Sequence, residues 1–141
     1  GDSVTAAHLE DGKVLSLSTT NLGNDALAAD NFVLATGSFF SHGIEAHPDK
    51  VVEPLFGADV DAATDRDDWY CHDVFGEQPY MNFGVATDGD FSATIGGKAI
   101  SNLYVAGAVL SKFNPIKEAS GAGVSIVTAM HVADIITKKT E

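Results

Sequence analysis

The sequence predicts an α/β fold of partial extent, with a peripheral β-meander, two buried strands, an irregular acidic insertion and one long C-terminal helix. Three observations carry that reading. Phe32-Val33-Leu34-Ala35 and Leu103-Tyr104-Val105-Ala106 are short continuous apolar runs, each closed within two residues by glycine, and such runs suit strands covered on both faces. Gly121 to Lys139 is apolar with a helical period and closes on lysines, the pattern of a packed helix ending favourably for its dipole. At 141 residues the chain can build one core but hardly two.

Taken in order, the first element is an alternating run from Val4 to Leu9. It turns at Glu10-Asp11-Gly12-Lys13 and alternates again from Val14 to Thr19. Asp-Gly between alternating runs is a hairpin signal, because glycine tolerates the positive φ of a tight turn. A polar stretch from Asn21 to Asp25 returns the chain into a third strand near Ala26 to Ala29. With the first apolar run this makes a segment 1–40. Ser41 to Pro79 holds three of the four prolines and no sustained periodicity, and from Asp59 to Glu77 it sets seven acids against Arg66 alone. Residues 41–80 therefore read as an irregular acidic insertion with one short helix. In 81–141, Asn82 to Thr87 resumes strand character, Asp88-Gly89 signals a turn, and Phe91 to Ile95 is expected to pair back across it. The second apolar run and the helix complete the chain. In the helix Ile126, Val127, Met130 and Ala133 mark one face, which Val124, Val132, Ile135 and Ile136 widen. It is apolar around most of its girth and is expected to be largely buried, with Ser125, Thr128 and His131 as its polar seam.

The net charge is −12 and the eight bases are scattered, so no basic stripe exists to neutralise a nucleic-acid backbone. No apolar run reaches the roughly 18 residues of a membrane-spanning helix. Cys71, the single cysteine, has no partner for an internal disulfide, and a reducing compartment is expected.

The candidates for chemistry cluster at chain positions that bind ligands in α/β sheets. Gly37 and Gly107 close the two buried strands, and ligands sit beyond the carboxyl edge of such strands; loop closure alone is the competing account. Gly121-Ala122-Gly123 opens an apolar helix, whose free N–H groups and dipole favour negative charge; close packing of the first turn is the competing account. No complete dinucleotide fingerprint or phosphate-loop motif is present. Asp59, Asp61, Asp65, Asp67 and Asp68 do not fit a calcium loop, because Thr64 stands where glycine is needed and Tyr70 where glutamate is needed. They read as a solvated face. Cys71-His72 lacks the second cysteine of a zinc site, Cys71 lacks an evident base and reads as an inert thiol, and His131 is expected to satisfy a local hydrogen bond. Lys112 and Lys117, flanking Phe113-Asn114-Pro115-Ile116, are the basic pair nearest the predicted ligand edge.

Beyond these patterns, the chain carries Asp30-Asn31-Phe32-Val33-Leu34-Ala35-Thr36-Gly37-Ser38-Phe39-Phe40-Ser41, then Glu53-Pro54-Leu55-Phe56-Gly57, Phe83-Gly84-Val85-Ala86-Thr87-Asp88 and Asn102-Leu103-Tyr104-Val105-Ala106-Gly107-Ala108-Val109-Leu110. Asn114-Pro115-Ile116-Lys117-Glu118 follows, before Gly121-Ala122-Gly123-Val124. In order and spacing these blocks resemble the C-terminal part of the anaerobic glycerol-3-phosphate dehydrogenase family, that of its B subunit, within the flavoproteins of the two-dinucleotide-binding-domain kind. Asn-Leu-Tyr-Val-Ala-Gly recurs in many such flavoproteins, whereas Ala-Thr-Gly-Ser-Phe-Phe-Ser and the Asn-Pro-Ile to Gly-Ala-Gly-Val block are more particular. The fold so implied is the C-terminal part of a FAD/NAD(P)-binding-like domain.

The resemblance further implies a cytoplasmic flavoprotein subunit that oxidises sn-glycerol 3-phosphate to glycerone phosphate. Electrons pass toward quinone through a membrane-attached iron–sulfur subunit, which holds it peripherally at the inner membrane. It implies FMN, with FAD as the alternative, along Thr36, Gly37, Ser38, Gly107 and Ala108, and facing the helix start at Gly121, Ala122, Gly123 and Val124. Lys112 and Lys117 are the candidates for the substrate phosphate, and the catalytic residue is left unassigned. Two departures matter. Ala108 stands where related flavoproteins place an acid on a sugar-chain hydroxyl, and Ser120 stands where close relatives are expected to carry cysteine. The family's opening strand and glycine-rich phosphate loop are not in this sequence, so it reads as a C-terminal fragment expected to be inactive by itself. Two rival readings are a non-catalytic lobe docking a partner through Asp59 to Glu77, and another flavin-dependent reductase or dehydrogenase acting on a carboxylate or a steroid.

Overall fold

The computed structural model describes residues 1–140. Val4–Glu10 (β1) turns at Asp11 and Gly12, whose φ values are 49° and 73°, and returns as Lys13–Thr19 (β2). Ala26–Ala28 (β3) pairs with the far edge of β2, so the expected antiparallel meander forms. After Phe32–Leu34 (β4) the chain passes through Glu45–Ala46 (β5), Val51–Val52 (β6) and Val60–Asp61 (β7). A 3₁₀ turn at Arg66–Trp69 and another at Pro79–Asn82 lead to Gly84–Val85 (β8). Ser92–Ile95 (β9) and Lys98–Val105 (β10) follow, then a 3₁₀ turn at Gly107–Val109 and the helix Gly121–Thr140 (α1).

The central sheet has the order β4-β10-β9, with β10 parallel to β4 and antiparallel to β9. Period-two alternation gives β10 two buried faces. Leu103 and Val105 enter the main core with Val14, Leu34, Ile44, Val85 and Val109, while Tyr104 and Ala106 pack with Val132 of α1. Asn102 joins the layers. Its buried amide accepts a hydrogen bond from the Val14 N–H at 2.8 Å and donates to the carbonyls of Val14 and Asp30, so one side chain docks the meander onto the sheet. Lys139 closes the far end of α1, donating to the Tyr104 hydroxyl at 3.0 Å. That contact raises the Lys139 ammonium above the ordinary lysine range.

Residues 41–80 are irregular, as expected, but they are not peripheral. Ile44, Ala58 and Trp69 enter the main core, and the 2 % exposed Glu53 carboxylate accepts from the N–H groups of Leu55, Phe56 and Ala58. Three donors are what a buried carboxylate requires.

Two expectations need correction, and a third holds over a short span. β4 is not covered on both faces, for Val33 is 49 % exposed beyond the reach of α1. The pairing of β9 back across Asp88-Gly89 forms but is short, being the Thr87–Ala93 bridge with the Asp88 N–H donating to the Ser92 carbonyl and the Thr94 N–H to the Ala86 carbonyl. Gly96 and Gly97, at φ of 58° and 75°, make a second tight turn that also sets β9 against β10, and β8 pairs with β7. Finally, α1 is not largely buried. Val132 and Thr128 are 2 % and 9 % exposed, but Ile126, Val127 and Met130 are 60 to 65 % exposed, because a sheet of three strands covers one side of the helix. No helix among the described residues is long and apolar enough to cross a membrane.

Candidate functional site

Because β4 and β10 run parallel, their carboxyl ends lie side by side, and the Ala106 N–H continues the ladder to the Leu34 carbonyl at 3.0 Å. The chain leaves β10 through Gly107 at φ +78°, a conformation side chains rarely adopt. The Gly107 N–H donates to Thr128 Oγ1 at 2.9 Å, and the Thr128 hydroxyl donates in turn to the Val124 carbonyl. Thr128 therefore belongs to no solvated seam. It is the clasp between the strand-end turn and the first turns of α1. His131 likewise differs from expectation, meeting the Phe91 ring edge-to-face at 5.3 Å.

A groove of about 210 Å³ opens at this edge, lined by Ala35, Gly37, Ala106, Gly107, Ala108 and, from the helix, Ser125 and Ala129. The structure thus brings Gly37, Gly107 and Ala108 together. Ser38 and Ala108 also line an adjoining cleft with Phe39, Phe40, Phe113 and Pro115. Thr36 stands behind, where its Oγ1 and the Gly37 carbonyl press so closely on Gly43 that a Cβ there would overlap them. Sequence reasoning missed Ser125 and Ala129. Their signal was the small residue recurring every fourth position from Gly121, which places one stripe of small side chains toward the strand ends.

The first turn of α1 lies beside this groove without lining it. Val124 N–H makes the first helical bond, to the Ser120 carbonyl at 2.8 Å, so the amides of Gly121, Ala122 and Gly123 are the open ones of a helix start. Among the described residues a Cβ on Gly123 would meet nothing within 4 Å, so nothing in this chain packs closely against that glycine. The Ser120 hydroxyl is buried and, among the described residues, the one side-chain polar atom in that condition without a partner. Unmet donors, an open first turn and an orphaned hydroxyl fit a ligand that brings acceptor oxygens.

The block before the helix is also explained. Asn114, buried, accepts from the N–H groups of Ile116 and Lys117 through Oδ1, and Glu118 accepts from the Asn114 N–H at 3.2 Å, a reciprocal turn that fixes the approach to α1. Lys112 and Lys117 do not line the groove. Lys112 pairs with Asp61 at 3.3 Å and Lys117 with Glu77 at 3.0 Å. Other acids of the middle segment also act locally. Asp65 caps the Arg66–Trp69 turn, and Asp59 accepts from the N–H groups of Gly96 and Gly97. The Gly97 and Gly96 donors hold the Asp59 carboxyl below the usual carboxylate range. No group of three or more His, Cys, Asp or Glu among the described residues could hold a metal ion.

Comparison with known proteins gives the family. A family model described as "FAD binding domain" matches residues 2–124. Proteins named as the B subunit of anaerobic glycerol-3-phosphate dehydrogenase are similar to most of the chain. The Aliivibrio fischeri ES114 protein is 46 % identical over 89 % of this chain and 28 % of its own length. The Pectobacterium carotovorum protein is 50 % identical over 80 % of this chain and 27 % of its own. The Yersinia pseudotuberculosis protein is 43 % identical over 96 % and 32 %. The chain therefore spans under a third of the length of these curated relatives. No solved structure matches it. The chain belongs to the FAD-binding-domain family.

Proposed function

We propose that this member of the FAD-binding-domain family is part of a flavoprotein subunit that oxidises sn-glycerol 3-phosphate to glycerone phosphate and passes the electrons to quinone. The observation that carries the reading is the match of nearly the whole chain to proteins named as the dehydrogenase's B subunit, at 43 to 50 % identity. Within the reading the subunit sits in a complex with a membrane-attached iron–sulfur partner, on the cytoplasmic side of the inner membrane. In the reaction, the secondary carbinol group of the substrate loses two electrons and two protons, one proton from carbon and one from the hydroxyl, as it becomes a ketone.

When bound, the flavin supplies the two-electron acceptor. The chain's part is to hold it. Gly37, Ser38, Gly107 and Ala108 give a floor of small residues at the strand ends beside Thr36. The open amides of Gly121, Ala122 and Gly123 direct donors and the positive end of the helix at negative charge, with Val124 closing that turn. Thr128 keeps Gly107 in place for this. The flavin is proposed to be FMN, as the resemblance to the B-subunit family implies, with FAD, the flavin named by the matched family model, as the alternative. Lys112 and Lys117 are proposed for the substrate phosphate, their exposed partners Asp61 and Glu77 yielding to a stronger anion.

The test is the assembled enzyme. Flavin released by acid and separated by chromatography should be FMN, and sn-glycerol 3-phosphate should reduce the bound flavin; a protein without flavin, or one unreactive toward that substrate, defeats the reading. The 141-residue chain titrated alone should bind FMN and FAD no more tightly than ~100 μM. Alanine at both lysines should raise KM with little change in kcat, and an unchanged KM removes them from the site.

A further inference from the structure

We infer a second small-molecule site, built by the middle of the chain, for a planar aromatic carboxylate. Phe39, Phe40, Ala46, Arg66, Trp69, Tyr70 and Tyr80 enclose a cleft of about 280 Å³, near the lower end of the ~300–1,000 Å³ of ordinary ligand pockets. It shares no residue with the groove at Gly107, while Phe39, Phe40 and Tyr80 are common to it and to the cleft adjoining that groove. Five of its seven lining residues are aromatic, so its walls demand a flat apolar ligand.

Four of the five rings have ring partners before any ligand arrives, whereas Phe40 stands 93 % exposed at the rim. Phe39 meets Tyr80 edge-to-face at 6.2 Å, Trp69 meets the buried Phe83 at 6.0 Å, and Tyr70 meets His72 at 5.2 Å. The Trp69 indole N–H is committed to the Ala63 carbonyl and the residue is 6 % exposed, so Trp69 forms the fixed back of the cleft and the more exposed rings are left to meet a ligand. Held rings need no ordering on binding, and preorganisation of this kind favours affinity.

Arg66 supplies the specificity. Its guanidinium lies over Trp69 at 4.7 Å from the ring centre and donates through Nη1 to the His47 carbonyl at 2.9 Å, so its plane is set. Among the described residues no carboxylate lies within ion-pairing distance of it, whereas Lys112 and Lys117 each have one. Asp65, Asp67 and Asp68 share its turn, but Asp65 faces the Asp67 N–H. A stacked guanidinium keeps in-plane N–H donors, whose fork matches a carboxylate. In a chain of net charge −12, the one arginine stands without an acid at the wall of an aromatic cleft. The occupant that answers both features is a flat ring system carrying a carboxylate at one edge.

Naphthalene-2-carboxylate is the probe, titrated into the protein while heat and Trp69 emission are followed. Saturable binding with quenched emission is expected, about tenfold or more tighter than that of neutral naphthalene-2-carboxamide. Arg66→Gln should lose about that factor, and Arg66→Lys should recover part of it. Absence of saturable binding up to about 1 mM, equal affinity for the carboxamide, or unchanged binding by Arg66→Gln each overturns the proposal. The carboxamide comparison uses the unmodified protein and holds whatever the variants do to folding.

Discussion

Two sides of α1 have nearly the same composition and opposite fates. Val124, Thr128, Val132 and Ile135 lie toward β10 and the Gly107 turn, and Val132 keeps only 2 % exposure. Ile126, Val127 and Met130, at the same helical spacing, keep 60 to 65 %. The difference is that the inner side carries a polar group set against the strand-end turn, where Thr128 completes the hydrogen bonding of Gly107, whose amide has left the sheet ladder. Apolar periodicity specifies a helix. The sheet face at Tyr104 and Ala106 covers one side of it, and the Thr128 hydroxyl fixes that side to the strand-end turn.

The comparison breaks most severely at Val132. Aspartate there should lower stability by ~3–4 kcal/mol, because a charge enters a closed apolar contact with Tyr104 and Ala106. The same change at Met130 should shift it by less than ~0.5 kcal/mol. Denaturant midpoints of the two variants measure the contrast directly; equal losses would mean that the outer side is also packed.

Thr128→Val sharpens the contrast by removing the clasp while keeping the shape. It leaves the Gly107 N–H without its acceptor and should cost ~1–2 kcal/mol, with Thr128→Ser restoring most of it. Unfolding curves for the pair give the answer, since serine keeps the hydroxyl and loses only a methyl.

Outside the helix, Asp59 does for the Gly96-Gly97 turn what Thr128 does for Gly107. Its folded carboxyl is held below the ordinary value of 3.8 by the Gly97 and Gly96 donors. The stability it contributes is therefore present above about pH 3.8 and is lost as pH falls through the lower folded value. Asp59→Asn should cost about 1 kcal/mol at neutral pH, moderated by partial exposure, and should flatten the acid limb. An acid limb of unchanged slope, measured by stability against pH from 5 to 2, would detach Asp59 from that turn.

The smallest stability effect belongs to Gly123. A Cβ there meets nothing, so Gly123→Leu should move the cofactor-free unfolding midpoint by no more than ~0.5 kcal/mol, glycine being an unfavourable helical residue to begin with. Flavin retained after gel filtration of the full-length variant should nevertheless fall sharply. A destabilised variant that keeps its flavin would place the helix start outside the site.

Much of this was legible along the chain. Asp11-Gly12 announced its hairpin because positive φ is a local property, and Gly121 to Lys139 announced its helix because the apolar period and the closing lysines are local too. Gly37 and Gly107 marked the two strand ends that later proved adjacent. The two-residue strands β5 to β8 were not legible, since no periodicity fits in two residues. Asp88-Gly89 was read as a turn and the chain pairs back across it, while the second turn at Gly96-Gly97 was passed over. The roles of Glu53, Asn102 and Arg66 were hidden for a different reason: each depends on partners distant in the chain or on the shape of a turn.

By itself, then, the sequence determined the Asp11-Gly12 turn, the meander, the two apolar strands and the C-terminal helix. Those features follow from backbone sterics and side-chain periodicity within a few residues. Only the tertiary structure decided that Asn102 joins β2 to β10, that Thr128 rather than a lysine reaches the strand-end turn, and that Arg66 stands over Trp69 without an acid. Hydrogen bonds and charges act over about 3 to 4 Å in space, and Val14 lies 88 positions from Asn102 along the chain. Separation in sequence carries no record of that proximity, which folding alone creates.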